Sequence, residues 1–433
     1  MSGKVVLITG ASSGLGELIA YEYAKRGAYL TIVAIKEPES RLEQVAHKAR
    51  ELGSPDVLFL FADVSKIEEC RMFVDDTVKY FGHLDHLVCN AGIGPIYSID
   101  IDVSKFEPVM PAMYEACFNN SFTNALVFYI LLLLLFLISP LLFVWELIIT
   151  VRSSFRPNEN MSGKVVLITG ASSGLGELMA YEYAKRGAYL AITSIKEPES
   201  RLEQIAHKAR ELGSPDVRFL FADVSKVDDC RMFVDDTVRH FGHLDHLVCN
   251  AGVGAIYSID IDVSKFEPVM DINFWGSVYP THFAIPHLMK TNGKIIVNSS
   301  SSGVLSVPKA GVYGASKAAL ISFYESLRHE VSPKVTITIV TLGFVETDII
   351  TSKYSTNSVG VSLRRDIGDV YPTMGADACA KAIVDGVCKG ATSITQPRFI
   401  KALFFIKFLF PEIHRLYFNI YFASMHAKLQ RGG

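Results

Sequence analysis

The sequence has no excess of basic residues: 42 lysines and arginines face 45 aspartates and glutamates, for a net charge of −3. Without a basic face or tail, nucleic acid is not expected as a partner. There are only seven cysteines, an odd number, and none stands in a Cys-x-x-Cys pair. This argues against a metal site and a disulfide framework, and predicts reduced, mostly buried thiols, as in a protein that faces the cytosol.

The chain contains a long internal repeat. Residues 1–110 recur as residues 161–270 with about a dozen substitutions, after which the match stops abruptly. A period this long is not that of a solenoid, so we interpret it as the duplication of part of a domain. We predict three regions: a truncated copy at 1–111, a membrane anchor at 112–160 and a complete domain at 161–433. A true fusion and a fault in gene assignment both remain open as the origin of the first copy.

The predicted anchor rests on one long apolar run. Residues 125–151 are almost entirely apolar and lack an amphipathic stripe. A helix of some twenty such residues spans the roughly 30 Å of membrane hydrocarbon. Pro140 leaves two arrangements open, a kinked spanning helix or a hairpin that returns to the same leaflet. Arg152 and Arg156 follow the run, so the positive-inside rule predicts that the complete domain faces the cytosol.

In the complete copy, short apolar runs alternate with helical stretches. The expected strands are residues 164–169, 189–194, 217–222, 246–249, 294–298 and 336–341, and the expected helices between them are 175–186, 199–212 and 230–241. Almost continuously apolar strands that alternate with helices indicate a parallel sheet covered on both faces. The predicted fold class is α/β, a doubly wound parallel sheet of the Rossmann type. Ligands are expected at the carboxyl ends of its strands.

A glycine-rich turn joins the first strand of this copy to its first helix. Glycines let the backbone approach a pyrophosphate closely, and the helix N-terminus offers free N–H groups. A tight turn with no ligand is the alternative interpretation. The turn contributes to the predicted cofactor site Gly170, Ser172, Ser173, Gly174, Leu175 and Gly176.

Two further strand ends carry candidate cofactor contacts. Asp223 and Val224 follow the third strand, where a carboxylate can accept a hydrogen bond from the adenine amino group. Asp223 could equally cap the next helix. Asn250, Ala251 and Gly252 follow the fourth strand, where small residues let the cofactor ribose lie close; an ordinary turn is the alternative.

The most specific signal combines Ser300, at the end of the fifth strand, with Tyr313 and Lys317 in the next helix. A spacing of four puts Tyr313 and Lys317 on one helix face. A phenol has a pKa of about 10, and a neighbouring ammonium is expected to lower it toward neutrality. We therefore predict that Tyr313 is the catalytic acid/base, that Lys317 holds the nicotinamide ribose and that Ser300 donates to the substrate oxygen. A surface pair is the alternative for Tyr-x-x-x-Lys alone.

These motifs resemble those of the short-chain dehydrogenase/reductase family over residues 164–347. The resemblance implies a nicotinamide-dependent oxidoreductase that uses the cofactor residues named above. Its catalytic residues, carried across position by position, fall on Asn273, Ser300, Tyr313 and Lys317. Two positions depart from the family pattern: Cys249 stands before Asn250 in place of asparagine, and Leu342 stands before Gly343 in place of proline.

More narrowly, residues 181–188 and 271–276 are similar to the plant 11β-hydroxysteroid dehydrogenase-like proteins, which include the steroleosins of oil bodies. This resemblance implies interconversion of a hydroxyl and a ketone on a small apolar, sterol- or steroid-like substrate. It also implies attachment to the endoplasmic reticulum membrane or a lipid-droplet surface, and leaves a homodimer open. The alternative from another class is a membrane or lipid-droplet coat protein that uses the fold only as a scaffold.

The sequence favours NADP over NAD as the cofactor. Enzymes that prefer NAD place an acid at the end of the second strand, whereas residues 193–196 read Thr-Ser-Ile-Lys. Lys196 could meet a 2′-phosphate or could be a solvated loop charge. NAD stays open because Glu197 lies one residue further on.

Two expectations concern the remaining regions of the chain. After the sixth strand, residues 344–375 are expected to form a substrate loop, and the aromatic-rich residues 399–422 either pack in the core or form a membrane-facing lid. The first copy has no counterpart of Asn273, Ser300, Tyr313 or Lys317, so no catalysis is predicted there.

Overall fold

The chain divides into two compact units, one within residues 1–129 and the other within residues 130–433. Each unit has its own parallel sheet and its own core. The computed structural model describes residues 1–36, 41–92, 157–196, 201–255, 261–346 and 373–417.

The first unit is a four-stranded parallel sheet in the order β3-β2-β1-β4. Its elements are β1 (Val5–Thr9), α1 (Gly14–Lys25), β2 (Tyr29–Ala34), α2 (Leu42–Glu51), β3 (Val57–Phe61), α3 (Ile67–Phe81) and β4 (His86–Val88). Leu87 on β4 is 53% exposed, whereas its equivalent in the second unit, Leu247, is fully buried. The difference arises because Leu247 packs in a core cluster with residues from later in the chain, among them Ala284 and Leu288.

The second unit repeats this order of elements and extends it. Its elements are β5 (Val165–Thr169), α4 (Gly174–Ala184), β6 (Tyr189–Ser194), α5 (Leu202–Glu211), β7 (Val217–Phe221), α6 (Val227–Phe241), β8 (His246–Cys249), α7 (Glu267–Met270), α8 (Gly276–Thr291), β9 (Lys294–Ser300), α9 (Gly311–Val331), β10 (Thr336–Leu342), α10 (Ala376–Cys388), β11 (Ser393–Gln396) and α11 (Ile400–Leu409). A π-helical turn, Asp271–Trp275, joins α7 to α8.

The sheet of the second unit has seven parallel strands in the order β11-β10-β9-β8-β5-β6-β7. The predicted parallel α/β fold is confirmed. From β5 the chain adds β6 and β7 on one side of the sheet, and it then adds β8 to β11 on the other side. The strand order therefore reverses between β5 and β8. In open α/β sheets ligands bind outside the carboxyl ends of the strands at such a reversal. The glycine turn after β5 and the Asn-Ala-Gly sequence after β8 lie at this point.

Apolar side chains fill both faces of this sheet. One layer packs α4, α5 and α10 against the sheet around Tyr183, and the other packs α6, α8 and α9 around Phe233 and Tyr324. All three of these large side chains are fully buried. Burial of one such side chain contributes roughly 1.5–3 kcal/mol, so the two layers hold the strand ends in fixed positions.

Glu159, in the segment that precedes β5, binds to the amino-terminal end of this sheet. The Glu159 carboxylate lies 2.6 Å from the Lys294 Nζ and 3.2 Å from the His246 Nε2. The main-chain N–H of Glu159 donates to the Cys388 carbonyl. Burial alone would raise the pKa of Glu159, but the hydrogen bonds and charges of His246 and Lys294 hold it at about 2. Lys294 and His246 begin β9 and β8, so this contact joins the incoming chain to the sheet.

The apolar run at residues 125–151 lies outside the described residues. Within the part of the chain that the structure describes, no helix is both long and apolar enough to cross a membrane.

Most aromatic side chains of the described C-terminal segment, which ends at residue 417, lie outside the core. Ile400 is buried at the start of α11, but Phe405 is 63% and Phe408 is 83% exposed. Core packing, the first expectation for residues 399–422, is therefore wrong for the described part of this segment. The helix lies at the edge of the sheet, and Ile400 is its one fully buried residue.

Candidate active site

The three glycines of the turn after β5 are required for different structural reasons. Gly170 has a φ of +65°, and a Cβ there would lie 2.6 Å from the Ala251 Cα. A Cβ on Gly176 would lie 2.3 Å from the Gly170 carbonyl oxygen and 2.5 Å from the Asn250 Nδ2. Gly174 has a φ of +57° and open space within 4 Å of a Cβ. Two glycines thus allow close packing of the turn, and the third leaves room in front of the helix.

The start of α4 fits a dinucleotide pyrophosphate. Ser173 precedes the helix in an extended conformation, and its side chain caps none of the first-turn N–H groups. These groups are therefore free to donate to an anion. The hydroxyl of Ser172 lies 2.8 Å from that of Ser194 at the end of β6. Leu175, by contrast, packs against the core, and Lys196 is exposed just beyond β6.

Asn250 and Thr169 hold the ends of β5 and β8 together. The Asn250 Nδ2 donates to the carbonyl oxygens of Thr169 and Gly170, at 3.0 Å each. The Thr169 hydroxyl accepts from the N–H groups of Asn250 and Ala251, at 3.1 Å each. The side chain of Asn250 is thus used to shape the glycine turn, and the small Ala251 lets that turn approach closely.

Asp223 forms a local turn at the end of β7. Its Oδ1 accepts from the Ser225 N–H at 3.0 Å and from the Ser225 hydroxyl at 2.7 Å. Asp223 is not the helix cap, because Lys226 occupies that position before α6. Val224 is buried, and a Cβ on Gly276 would lie 2.6 Å from its Cγ2. The turn leaves one Asp223 carboxylate oxygen, Oδ2, for the predicted adenine contact.

Gly252 lies where the catalytic candidates meet. A Cβ on it would lie 3.1 Å from the Asn273 Oδ1 and 3.5 Å from the Lys317 Nζ. Asn273 is fully buried in the π-helical turn, where it accepts from the Val253 N–H at 2.8 Å. Its Nδ2 donates to the Val253 carbonyl and to the Ser316 hydroxyl. Single π-helical turns occur frequently at functional sites, and this one directs Asn273 toward the catalytic residues.

Ser300, Tyr313 and Lys317 come together at the carboxyl end of β9. Ser300 is its last residue and is 7% exposed; its hydroxyl donates to the Leu342 carbonyl at 3.3 Å, accepts from the Ser302 N–H at 3.1 Å and interacts with the Tyr313 phenol. The Lys317 Nζ lies 5.9 Å from the Tyr313 ring centroid and donates to the Asn298 carbonyl at 3.0 Å. This arrangement provides a proton-transfer group, a hydroxyl beside it and a buried cation one helical turn away.

The pKa of Tyr313 shifts in the opposite direction to the one expected. Burial raises the pKa of its phenol, and the Ser300 hydrogen bond only partly opposes this. The expected lowering by Lys317 is wrong for the net shift, because enclosure by protein disfavours the phenolate. Burial also lowers the pKa of Lys317 to about 8, so its positive charge is lost as the pH rises through that value.

The comparisons with known proteins agree with this geometry. A profile of the family described as short chain dehydrogenase matches residues 4–128 and 164–358, which together exceed half of the chain. The chain belongs to the short-chain dehydrogenase family. It is therefore an oxidoreductase that acts on a CH–OH group with a nicotinamide dinucleotide as acceptor, and the glycine turn and strand ends described above fit that cofactor.

Two plant relatives of this short-chain dehydrogenase confirm the narrower resemblance. The 11-beta-hydroxysteroid dehydrogenase 1A of Arabidopsis thaliana is 49% identical over 262 residues, which cover 59% of this chain and 74% of the relative. The 11-beta-hydroxysteroid dehydrogenase-like 4A of the same plant is 42% identical over 297 residues, covering 68% and 96%. A short chain dehydrogenase/reductase from Burkholderia phymatum, solved in complex with NAD, is 25% identical with a TM-score of 0.53, covering 59% of this chain and 96% of that one.

Sequence reasoning missed four polar residues that support this short-chain dehydrogenase site. Thr169 holds the Asn-Ala-Gly turn, and Ser316 accepts from Asn273 while donating to the Tyr313 carbonyl at 2.7 Å. Ser299 donates to the Lys317 carbonyl at 2.9 Å, and the Asn298 carbonyl accepts from Lys317. The available signal was their polarity within otherwise apolar, buried strands or on a buried helix face.

Proposed function

We propose that residues 161–433 form a membrane-associated oxidoreductase that interconverts a hydroxyl and a ketone on a sterol- or steroid-like lipid with NADP(H). The observation that carries the proposal is the meeting of Ser300, Tyr313 and Lys317 at the carboxyl end of β9. The 11-beta-hydroxysteroid dehydrogenase names of the relatives support the substrate class. A homodimer, and a location on the endoplasmic reticulum or a lipid droplet with the catalytic domain in the cytosol, belong to the same proposal.

Each catalytic side chain has one task in this proposal. In the oxidising direction the Tyr313 phenol takes the proton of the substrate hydroxyl, and in the reducing direction it returns the proton to the carbonyl oxygen. Ser300, which interacts with that phenol, holds the substrate oxygen beside it. Lys317, whose Nζ is held by the Asn298 main-chain carbonyl, binds the nicotinamide ribose, and Asn273 completes a water-linked proton path. When bound, the nicotinamide accepts or supplies the hydride.

The direct test is turnover followed by nicotinamide absorbance. The full chain in detergent would be supplied with NADP or NAD and a panel of hydroxysteroids, sterols and simpler lipid alcohols. We expect turnover with NADP and at least one polycyclic alcohol. Turnover confined to simple lipid alcohols would contradict the sterol-like substrate. No turnover of any alcohol despite measured dinucleotide binding would contradict the proposed reaction.

Lys196 is expected to select NADP. It is exposed at the end of β6, where a ribose 2′-phosphate would lie against it. We expect Lys196→Glu to lower the preference for NADP over NAD by about tenfold or more, because a hydrogen bond to a charged group contributes about 1.5–3 kcal/mol. The measurement is kcat/KM with each cofactor. Lys36→Glu, the equivalent exposed change in the first unit, is the matched control, and equal ratios in the two variants would refute the assignment.

An exposed apolar surface supports membrane association independently of residues 125–151. This apolar tail surface consists of Phe405, Phe408, Phe410, Ile413 and Leu416, each more than half exposed. The helix that leads into it begins at the carboxyl end of the sheet, since a Cβ on Gly343, just beyond β10, would lie 2.9 Å from the Ile400 side chain.

Basic residues accompany the apolar tail surface. Arg398 and Lys401 are exposed just before it in the chain, Arg415 is paired with Glu412 at 3.3 Å, and Lys407 donates to the Val304 carbonyl, four residues beyond Ser300. Aromatic residues flanked by basic ones are typical of surfaces that dip into an anionic membrane interface. We therefore propose that this surface contacts the lipid from which the substrate is drawn.

A tryptophan placed on the apolar tail surface should report the contact. We expect the added emission of Phe408→Trp to be quenched by vesicles of brominated-chain phosphatidylcholine and phosphatidylserine, because an interfacial ring reaches the acyl boundary. Met289→Trp, at an exposed apolar position on α8, is the control and should show no added quenching. Equal quenching of both variants would count against the surface as the membrane contact.

A further inference from the structure

Asn298 is a buried carboxamide to which the catalytic assignments give no role. It stands on β9 two residues before Ser300, so the two side chains share one face of the sheet. It is 6% exposed and follows the apolar residues Ile295, Ile296 and Val297. A buried carboxamide at the end of an apolar strand is destabilising unless its polar atoms find partners, so a specific use is expected for it.

The hydrogen bonds of Asn298 connect the glycine turn with the catalytic lysine. Its Nδ2 donates to the Asn250 Oδ1 at 2.8 Å, and the Asn250 Nδ2 donates to the carbonyl oxygens of Thr169 and Gly170. The main-chain carbonyl oxygen of Asn298 accepts from the Lys317 Nζ at 3.0 Å. One residue thus joins the turn that receives the dinucleotide to the cation beside Tyr313.

The other side-chain atom of Asn298 has no partner among the described residues. Its Oδ1 is buried, and no described group donates to it. The orientation of the amide is fixed, because the Asn250 Oδ1 can only accept and must therefore face the Asn298 Nδ2. This unpaired acceptor lies on the same face of β9 as the Ser300 side chain, two residues earlier. A buried polar group without a partner often has a catalytic role.

The first unit shows that Asn298 is not needed to fold the glycine turn. Asn90, the equivalent of Asn250, makes the same two bonds, to the carbonyl oxygens of Thr9 at 3.2 Å and Gly10 at 3.1 Å. That unit has no counterpart of Asn298. The turn therefore forms without this carboxamide, and a variant at residue 298 is expected to keep its fold.

We propose that Asn298 is a positioning residue, which aligns Lys317 with the glycine turn so that dinucleotide binding and proton transfer share one geometry. The inference rests on the proposed function, because it assumes that the glycine turn receives the dinucleotide. Asn298 acts through Lys317 and Asn250.

Two substitutions test the inference in opposite directions. Asn298→Leu keeps the volume, removes the bond to Asn250 and makes the surroundings of Lys317 less polar. We expect NADP affinity, measured by calorimetry, to fall about tenfold, as for the loss of one buried hydrogen bond. The alkaline limb of kcat/KM against pH should move to lower pH. Asn298→Asp adds a carboxylate near the Lys317 ammonium, which favours the charged form, so this limb should move to higher pH.

Thr338→Val is the matched control. Thr338 is a fully buried polar residue on the neighbouring strand β10, and its hydroxyl donates to the Ala391 carbonyl rather than to a residue of the candidate site. We expect this variant to keep the NADP affinity of the parent chain and the same alkaline limb of kcat/KM against pH. If Asn298→Leu fails to fold, the shift in Asn298→Asp carries the test. Parent values in the Asn298 variants would overturn the inference and leave the proposed function standing, whereas a parent chain that binds no dinucleotide would overturn both.

Discussion

The Tyr313→Phe variant is expected to turn over its substrate about 100- to 10,000-fold more slowly than the parent chain, the range by which a positioned acid/base accelerates proton transfer. The phenylalanine ring keeps the packing of Tyr313 against the apolar cluster of Ala255 and Val269 but has no proton to exchange. The cofactor affinity should change little, because the Lys317 Nζ is held by the Asn298 carbonyl. Steady-state absorbance gives the turnover, and calorimetry with NADP gives the affinity.

A second tyrosine on the same helix supplies the control for this prediction. Tyr324 is fully buried on α9, and its hydroxyl donates to the Ser277 carbonyl at 2.8 Å and lies 2.7 Å from the Thr281 hydroxyl. Tyr324→Phe removes these bonds away from the catalytic residues. We expect it to lower the thermal unfolding temperature while turnover persists. Full turnover in Tyr313→Phe would show that the acid/base lies elsewhere.

The Gly176→Val variant is expected to lose dinucleotide binding at cofactor concentrations that saturate the parent chain. A Cβ there would lie 2.3 Å from the Gly170 carbonyl oxygen and 2.5 Å from the Asn250 Nδ2, so α4 must move away from the turn. Overpacking of this kind typically costs about 1–3 kcal/mol of stability. The displaced helix start would no longer present its N–H groups beside the turn. Calorimetry with NADP measures the lost binding.

The repeat provides a matched control for this second prediction. Gly16 in the first unit has the same surroundings, 2.3 Å from the Gly10 carbonyl oxygen and 2.4 Å from the Asn90 Nδ2. Gly16→Val should therefore strain the first unit equally and leave oxidoreductase activity unchanged. Loss of activity in Gly16→Val, or parent-like binding in Gly176→Val, would refute the assignment of the cofactor site to the second unit.

The strands of the second unit could be predicted from the sequence because each is a short apolar run. The expected bounds of β6 and β8 match the structure, and β9 and β10 extend by one or two residues. Helix α8 was not predicted, since Pro280 and Pro286 lie inside it. Helix α10 and β11 were also missed, because small residues such as Ala380 and Gly386 give a weak apolar pattern.

The candidate site was predictable where a motif lies at a strand end, as for Ser300. The partners of each residue were not, because they depend on which strands become neighbours. Asn250 meets Asn298 only because β8 pairs with β9 in a register that sets Cys249 beside Val297. The pKa of Tyr313 was mispredicted for a related reason: sequence spacing gives the neighbouring charge but not the degree of enclosure.

The ion pair between Glu159 and Lys294 has a mechanical consequence for the domain. Lys294 and Ser300 are the first and last residues of β9, so six steps of about 3.3 Å separate the ion pair from the catalytic residues by about 20 Å. A force applied to the chain at residue 159 would therefore act on the sheet at the end opposite Tyr313. The ion pair and the catalytic residues thus stand at opposite ends of one strand.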